Sequence, residues 1–361
     1  MDRAPAAGSA AVPARDRLEV RRAVRAALAD LPPDALVLVA CSGGADSLAL
    51  AFALAEERPG SGAVVVDHGL RPDSAAVAAR AVAACRAVGL DPVVSPRVAV
   101  GRPGGPEGAA RDARYAALAA AAAALDARAV LTGHTRDDQA ESVLLGLARG
   151  SGPRSLAGMP ARRPLPGCAA ELRRPVLALP RELVRSSLGA GPGGPVEVDE
   201  DPTNADPATA RARVRHTVLP VLEAELGPGV AAALARTARA ARDDADALDA
   251  LAAATDPWAW SAGELCAPVA TLLEAPAALR RRHLRRGALA AGSPAQDLTA
   301  GHVDALDGLL LRWRGQGPLH LPGPAGHRVE ARREAGGAYG RLRLAPVRTD
   351  RGGPPVGPVS A

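Results

Sequence analysis

A compact set of chemically useful residues, Ser42-Gly43-Gly44-Ala45-Asp46-Ser47, sits between an apolar run, Ala35 to Cys41, and a segment of helical character from Leu48 to Glu56. Two adjacent glycines let the backbone turn tightly and approach a ligand closely, so successive amides can form an anion nest at a helix amino terminus. The hydroxyls of Ser42 and Ser47 add donors for phosphate oxygens. Asp46 is out of place in an anion site unless a cation neutralises it, which points to Mg²⁺ bridging phosphates with Asp46 as its protein ligand. The competing interpretation is a plain strand-to-helix turn capped by Ser and Asp.

Three further strings carry reactive side chains. Val66-Asp67-His68-Gly69-Leu70-Arg71 offers a carboxylate and an imidazole, although His68 is equally well read as a hydrogen-bonded loop histidine. Glu107, Arg111, Arg114 and Tyr115 recur at helical spacing and share a face. That face is either solvated, with a Glu107–Arg111 pair, or it presents Arg111 and Arg114 to phosphate and to charge developing at phosphorus. In Thr132-Gly133-His134-Thr135-Arg136-Asp137-Asp138-Gln139-Ala140-Glu141-Ser142, Thr135 and Asp138 fit a capping box. Asp137 and Glu141, four apart, point the same way and can hold a cationic amine or a metal, while His134 can handle a proton. An ordinary helix start is the alternative.

These strings need elements to position them. Leu18, Val24, Ala27 and Leu28 mark a first helix before Pro32-Pro33. Apolar strands then fall at Ala35 to Cys41, Ala63 to Val66, around Pro92 to Val100, and Ala129 to Leu131, each followed by a helix: Leu48 to Glu56, about Ser74 to Val88, Glu107 to Leu125, and Asp137 to Leu147. Four strand-helix alternations predict an α/β doubly wound parallel sheet, and its reactive strings all sit just past strand carboxyl ends, where such sheets bind ligands. Residues 150–195, rich in Gly, Pro and Arg, read as a functional loop region with a strand at Arg174 to Leu177 and a short helix after Pro180. Helices are expected at Thr209 to Glu225, Val230 to Ala254, Ala277 to Leu289 and Thr299 to Leu311, with short strand-like pieces to Leu344. The expected organisation is a disordered leader (1–14), a catalytic domain (15–227) ending near Gly227-Pro228-Gly229, a smaller mainly helical C-terminal domain (228–346), and a disordered tail (347–361).

Composition narrows the chemistry. The sequence has no Lys, no Ile and one Asn, Asn204, so all 44 basic residues are Arg. Without Lys, Walker A chemistry and Schiff-base catalysis are excluded. The longest apolar run, Ala116 to Leu125, is far short of the ~20 residues of a membrane span, and no signal peptide is evident. The four cysteines, Cys41, Cys85, Cys168 and Cys266, form no Cys-x-x-Cys pair, which argues against a zinc site or disulfide framework. The cytoplasm is the default location, and a net charge of +5 is compatible with a polyanionic partner.

The Ser42 to Ser47 string resembles the loop of the PP-loop ATP pyrophosphatase superfamily, whose fold is adenine nucleotide alpha hydrolase-like and whose members split ATP between its α- and β-phosphates. Together with Asp67 to Arg71, Ala110-Arg111-x-x-Arg114-Tyr115, Thr132 to Glu141 and Glu200-Asp201-Pro202-Thr203-Asn204, in that order, it resembles the tRNA(Ile)-lysidine synthase family over residues 35–220. The resemblance implies ATP-dependent ligation of free L-lysine to C2 of the wobble cytidine of tRNA(Ile) with a CAU anticodon, through an adenylated cytidine. It assigns pyrophosphate to Ser42–Ser47, Mg²⁺ to Asp46, adenosine to the surroundings of Asp67 and His68, the transferring charge to Arg111 and Arg114, and lysine to Asp137 and Glu141. Arg211 and Arg215, in a segment where Ala212 replaces the family's Asn, are assigned to tRNA; the lost Asn contact is either to RNA or within the loop.

Beyond the resemblance, Arg280, Arg281, Arg282, Arg285 and Arg286 read either as tRNA phosphate contacts or as a solvated basic face. Trp258, Trp260 and Trp313 are too few to indicate base stacking. A homodimer is left open. The rival readings are another PP-loop enzyme, such as a tRNA thiolase or an amide-forming ligase, and a non-catalytic adenine-nucleotide sensor. Thiolation usually needs paired cysteines, which are missing here.

Overall fold

In a computed structural model, which describes residues 11–69, 71–98, 106–150, 152–191, 194–261, 263–336 and 340–348, the chain divides into two compact units. Unit one comprises residues 1–149 and 155–240, and unit two residues 150–154 and 241–361. The first begins α1 (Ala11–Leu28), β1 (Val37–Ala40), α2 (Ala45–Glu57), β2 (Gly62–Val64), α3 (Ser74–Ala87), β3 (Val93–Val94), α4 (Pro106–Ala124), β4 (Ala129–Leu131) and α5 (Arg136–Ala148). After α6 (Pro153–Leu156) come β5 (Arg162–Pro164), β6 (Glu171–Arg173), α7 (Arg181–Ser186) and a small hairpin of β7 (Ala190–Gly191) and β8 (Gly194–Pro195). A 3-10 turn, Pro202–Ala205, then leads to α8 (Ala210–Arg213), a π-helical turn (Val214–Val218) and α9 (Leu219–Leu226).

Six strands form one sheet in the order β3-β2-β1-β4-β6-β5, parallel throughout except for β5. Its strands are apolar on both faces because helices cover both. Val37, Val39 and Cys41 pack with residues of α1, α2, α3 and α7, whereas Leu38, one residue out of phase, packs with Leu118 and Ala122 of α4. Ser47 to Leu54 of α2 are all buried, so that helix is apolar around its whole circumference.

Several boundaries differ from expectation for identifiable reasons. α1 begins at Ala11, so residues 11–14 of the expected leader are helical, and residues 1–10 lie outside the described residues. The strand expected at Arg174 to Leu177 lies at Glu171–Arg173 instead. Arg173 tolerates burial there because Asp30 and Glu171 accept its guanidinium at 2.6 and 2.7 Å. The helix expected over Thr209 to Glu225 is broken by the π turn. The units meet in sequence after Ala240 rather than at Gly227-Pro228-Gly229, because Ala231 and Leu234 pack with Ala140, Val214 and Leu219 of the first unit.

The second unit contains the later part of α10 (Val230–Ala254), then β9 (Ala259–Ser261), β10 (Glu264–Pro268), α11 (Val269–Glu274), α12 (Ala277–Ala290), α13 (Ala300–Leu311), β11 (Leu319–Pro322), β12 (His327–Glu334) and β13 (Arg341–Arg348). Its strands form an antiparallel sheet in the order β11-β12-β13-β10-β9. Leu265, Leu284, Leu306, Leu321, Leu342 and Leu344 share its core. A substantial sheet therefore stands beside helices where the sequence suggested only strand-like pieces. In β12 only Val329 and Ala331 are fully buried among charged neighbours, which leaves a weak period-two signal. Val347 and Arg348, expected in the tail, complete β13, and residues 349–361 lie outside the described residues. Among the described residues no single helix is long and apolar enough to cross a membrane.

Leu38, fully buried at the centre of the sheet and paired with Gly62 and Val130, supplies a direct check on this architecture. Leu38→Ala should cost about 3 kcal/mol, read as a lower urea midpoint with an unchanged slope.

Candidate active site

The loop between β1 and α2 is held by Ser47. Its Oγ accepts the Ser42 amide at 3.1 Å, donates to the Gly44 carbonyl at 2.8 Å and lies 3.2 Å from the Ser42 Oγ. Ser47 is thus buried and occupied with the loop itself, while Ser42 is exposed. Gly43 has φ +86°, a left-handed conformation that glycine adopts without strain. The Asp199 amide donates to the Gly43 carbonyl at 3.0 Å, which brings the segment before Glu200 against the loop. From the other side, a Cβ on Gly133 would stand 2.9 Å from the Asp46 carbonyl oxygen. The loops after β1 and β4 therefore touch backbone to backbone.

Asp46, in the first turn of α2, has an Oδ1 that is buried and without a hydrogen-bond partner. Its charged neighbours are Arg185, 3.5 Å from Oδ1, and Arg181, 3.8 Å from Oδ2. Burial pushes its pKa up despite these arginines. Among the described residues no three His, Cys, Asp or Glu side chains converge as a metal cage. The donor set fits a cation held by one carboxylate and completed by phosphate oxygens and water, the usual pattern for Mg²⁺ with nucleotides.

At the start of α5, Thr135 and Asp138 form the expected capping box, with the Thr135 amide and hydroxyl donating to Asp138 at 2.8 and 2.9 Å. Asp138 also meets Arg181 at 2.8 Å and Arg215 at 3.1 Å. Burial alone would raise its pKa, but Arg181, the Thr135 amide, His134 and Arg215 reverse that and hold it below the ordinary carboxylate value. Glu141, expected to share a ligand with Asp137, has no solvent exposure and is surrounded by Arg181 at 3.1 Å, Arg211 at 3.2 Å and Arg215 at 2.7 Å. It is the shared ion-pair partner of these three arginines. Asp137 stands apart: one oxygen accepts the Arg181 amide at 2.8 Å, and it makes no ion pair among the described residues.

The same contacts turn Arg211 and Arg215, which the resemblance assigns to tRNA, onto α5, with part of each side chain still exposed. Ala212 between them is buried, so the side chain at the position where the family has Asn faces the interior rather than RNA.

Asp67 is buried and accepts the Gly69 amide at 2.9 Å, a bond that with Ser74 and Arg97 keeps its carboxyl below the ordinary range. His68 accepts from Arg114 through Nε2 at 3.2 Å, and its Nδ1 is buried without a partner. Burial, reinforced by Arg114, lowers its pKa. Arg111 lies 5.5 Å over the Tyr115 ring, and the Glu107 side chain is outside the described residues. His134 shares a hydrogen bond with the Thr132 hydroxyl at 3.0 Å, and burial followed by Arg174 drives its pKa down to about 3. Such an imidazole is neutral at physiological pH, with the Thr132 hydroxyl as its hydrogen-bond partner.

The arginines of α12 all have partners within the protein, and Arg280 is buried by its own, while Arg281 and Arg286 stay exposed. Arg280 is buried against Asp307 at 2.6 Å, Arg281 meets Asp307 at 3.3 Å, Arg282 meets Asp249 at 2.7 Å, and Arg286 meets Asp256 at 2.8 Å. Arg285 donates to the Leu298 carbonyl at 2.7 Å. Consecutive residues turn about 100° apart on a helix, so these side chains cannot all share one face. Trp258 donates to the His283 carbonyl at 2.7 Å and Trp313 lies beneath Arg333, leaving Trp260 as the exposed tryptophan.

Sequence reasoning missed Arg181, Arg185, Arg174 and the close approach at Gly133. Arg181 is about 40 positions from its partners on α5, a separation that no local pattern reveals. Gly133→Ala should weaken ATP binding by roughly tenfold and lower the melting temperature by a few degrees, because the added methyl displaces the Asp46 backbone. The folded pKa of His134 lies below the unfolded value of 6.5, so the unfolded chain takes up the proton first. Its contribution to stability is therefore full above about pH 6.5 and is lost as pH falls toward about 3. Urea titrations at several pH values should show a shallower acid loss for His134→Gln than for the unsubstituted protein.

Comparison with known proteins agrees with this geometry. The PP-loop domain family matches residues 17–222, and the TilS substrate binding domain family matches residues 268–339. The tRNA(Ile)-lysidine synthase of Streptomyces coelicolor is 53% identical over 312 residues, covering 85% of each chain. That of Thermobifida fusca is 53% identical over 317 residues, covering 84% of this chain and 92% of its own. In structure the chain is similar to the U34-tRNA thiolase NcsA from Methanococcus maripaludis, with a TM-score of 0.50 and 20% identity over 62% of this chain and 79% of that one, a likeness of fold alone. Identity of this extent, spanning both the nucleotide-loop unit and the C-terminal unit, means that the chain belongs to the tRNA(Ile)-lysidine synthase family.

Proposed function

We propose that the protein ligates free L-lysine to C2 of the wobble cytidine in tRNA(Ile) bearing a CAU anticodon, consuming ATP and releasing pyrophosphate and AMP. The observation that carries this reading is the Asp46 carboxylate oxygen, buried and without a hydrogen-bond partner at the amino end of α2. A single acid among phosphate-binding amides suits Mg²⁺, which when bound would offset phosphate charge and ease the departure of pyrophosphate. The amides of the Gly43 to Asp46 turn and the Ser42 hydroxyl hold the pyrophosphate portion. Asp67 and His68 border the adenosine, with His68 carrying its proton on the unpartnered Nδ1 because Nε2 accepts from Arg114.

In the first step the cytidine O2 attacks the α-phosphorus and the bond to pyrophosphate breaks, with Arg111 and Arg114 facing the charge that develops. In the second the lysine ammonium gives up a proton to solvent and the resulting ε-amine attacks C2. The C2–O2 bond breaks, O2 departs as part of AMP, and a proton is released as the C2–N bond forms. Asp137, which lacks an ion pair, is the carboxylate left to orient the lysine ammonium before attack, while Glu141 keeps Arg181, Arg211 and Arg215 in place. The modified base pairs with A instead of G, changing the codon read from AUG to AUA. A reaction on tRNA with free lysine and ATP places the enzyme in the cytoplasm.

Incubation with ATP, labelled lysine and tRNA(Ile), followed by nucleoside analysis, should yield a lysine-containing cytidine that requires ATP. Asp46→Ala should cut pyrophosphate release by roughly a hundredfold with the fold intact. Label absent from the cytidine would overturn the proposal, and normal turnover by the variant would remove Asp46 from the metal role.

A further inference from the structure

Arg181, Arg211 and Arg215 around Glu141 each meet a carboxylate, whereas among the described residues the guanidiniums around Tyr115 meet none. Arg163 of β5 lies 4.2 Å over the Tyr115 ring and Arg111 of α4 lies 5.5 Å over it. Arg174, immediately after β6, is buried, and its charge acts on the Tyr115 phenol. One of its terminal nitrogens donates to the Pro160 carbonyl at 2.7 Å, and its Nε has no partner. The Arg163 Nε is likewise buried and unpartnered. Among the described residues none of these three guanidiniums forms an ion pair with a carboxylate. Burial would raise the Tyr115 pKa, but Arg111, Arg174 and Arg163 outweigh it and hold the phenol below its ordinary value. Partly desolvated cations gathered without a counter-charge are unfavourable until an anion joins them.

Their place in the sheet indicates which anion. Reading across the carboxyl edge in the order β2, β1, β4, β6, the strands present Asp67-His68, the Ser42–Ser47 loop, Thr132 to His134 and Arg174, and Arg163 of the antiparallel β5 stands one residue in from that edge, opposite Leu172. Arg174 and Arg163 therefore lie beyond β4 from the loop that takes the ATP phosphates. With guanidiniums already over the ring, the cluster suits a phosphate rather than a stacked base.

We propose that Arg163 and Arg174 form a phosphodiester-binding site for the tRNA backbone next to the nucleotide being modified. This rests on the tRNA-modifying reading above. The same chemistry would also accept an ATP phosphate, so tRNA and ATP binding are measured separately. Arg163→Gln should weaken binding of unmodified tRNA by about tenfold and make the slope of log affinity against log salt shallower by roughly 0.7, with ATP affinity unchanged. Arg163→Lys should recover most of the tRNA affinity. Arg174→Gln should behave as Arg163→Gln does; if it fails to fold, the Arg163 pair still decides. Unchanged tRNA binding by Arg163→Gln would overturn the proposal, as would weakened ATP binding with intact tRNA binding. A wild-type protein that binds tRNA but transfers no lysine would sink the ligation reading and leave this site standing.

Discussion

A carboxylate with no access to water has to be neutralised and hydrogen-bonded where it sits, or it destabilises the fold. Glu141 imposes that demand on the first unit. Three guanidiniums answer it, one from α7, one from α8 and one from the π turn that follows. Each must be brought to α5, so the path of the chain over residues 181–215 is constrained by one buried charge. Arg181 extends the constraint further, since it also bonds Asp138 and lies 3.8 Å from Asp46. The acid of the nucleotide loop is thereby placed by electrostatics as well as by the strand and helix that flank it.

A steric condition operates beside the electrostatic one. The loops after β1 and β4 approach so closely that a methyl group at Gly133 would stand within 2.9 Å of the Asp46 carbonyl oxygen. Parallel strands with right-handed crossovers deliver both loops to the same edge, and a residue without a side chain lets them meet. The result is two neighbouring electrostatic regimes at one sheet edge. Around Asp138 and Glu141 the charges are matched, and those side chains are held in place by one another. Near Tyr115 the guanidiniums of Arg111, Arg163 and Arg174 have no carboxylate partner among the described residues.

Charge patterns were the least reliable guide in the sequence, because a charged side chain serves whichever partner the fold brings to it. Five arginines on α12 looked like a surface for RNA, yet Asp249, Asp256 and Asp307, distant in sequence, engage four of them. Asp137 and Glu141 looked like an open pair on one helical face. That periodicity was silent about Arg181, Arg211 and Arg215 arriving from elsewhere to meet Glu141. The same limit applies to β12, where two small apolar residues among charged ones suffice because β13 and β11 flank it.

The order of strands and helices in the first unit, the Ser42 to Ser47 loop and the capping box at Thr135 were legible in the sequence alone. They depend on local properties: runs of apolar residues, glycines where the backbone must turn, and a hydroxyl three positions before an acid. The tertiary structure decided which carboxylates are free and which are bound, the neutrality of His134, the inward turn of Arg211 and Arg215, and the gathering of Arg163 and Arg174 at Tyr115. Each of those follows from burial and from partners remote in the chain. Desolvation and Coulomb energy depend on distances in space, which spacing along the sequence does not contain.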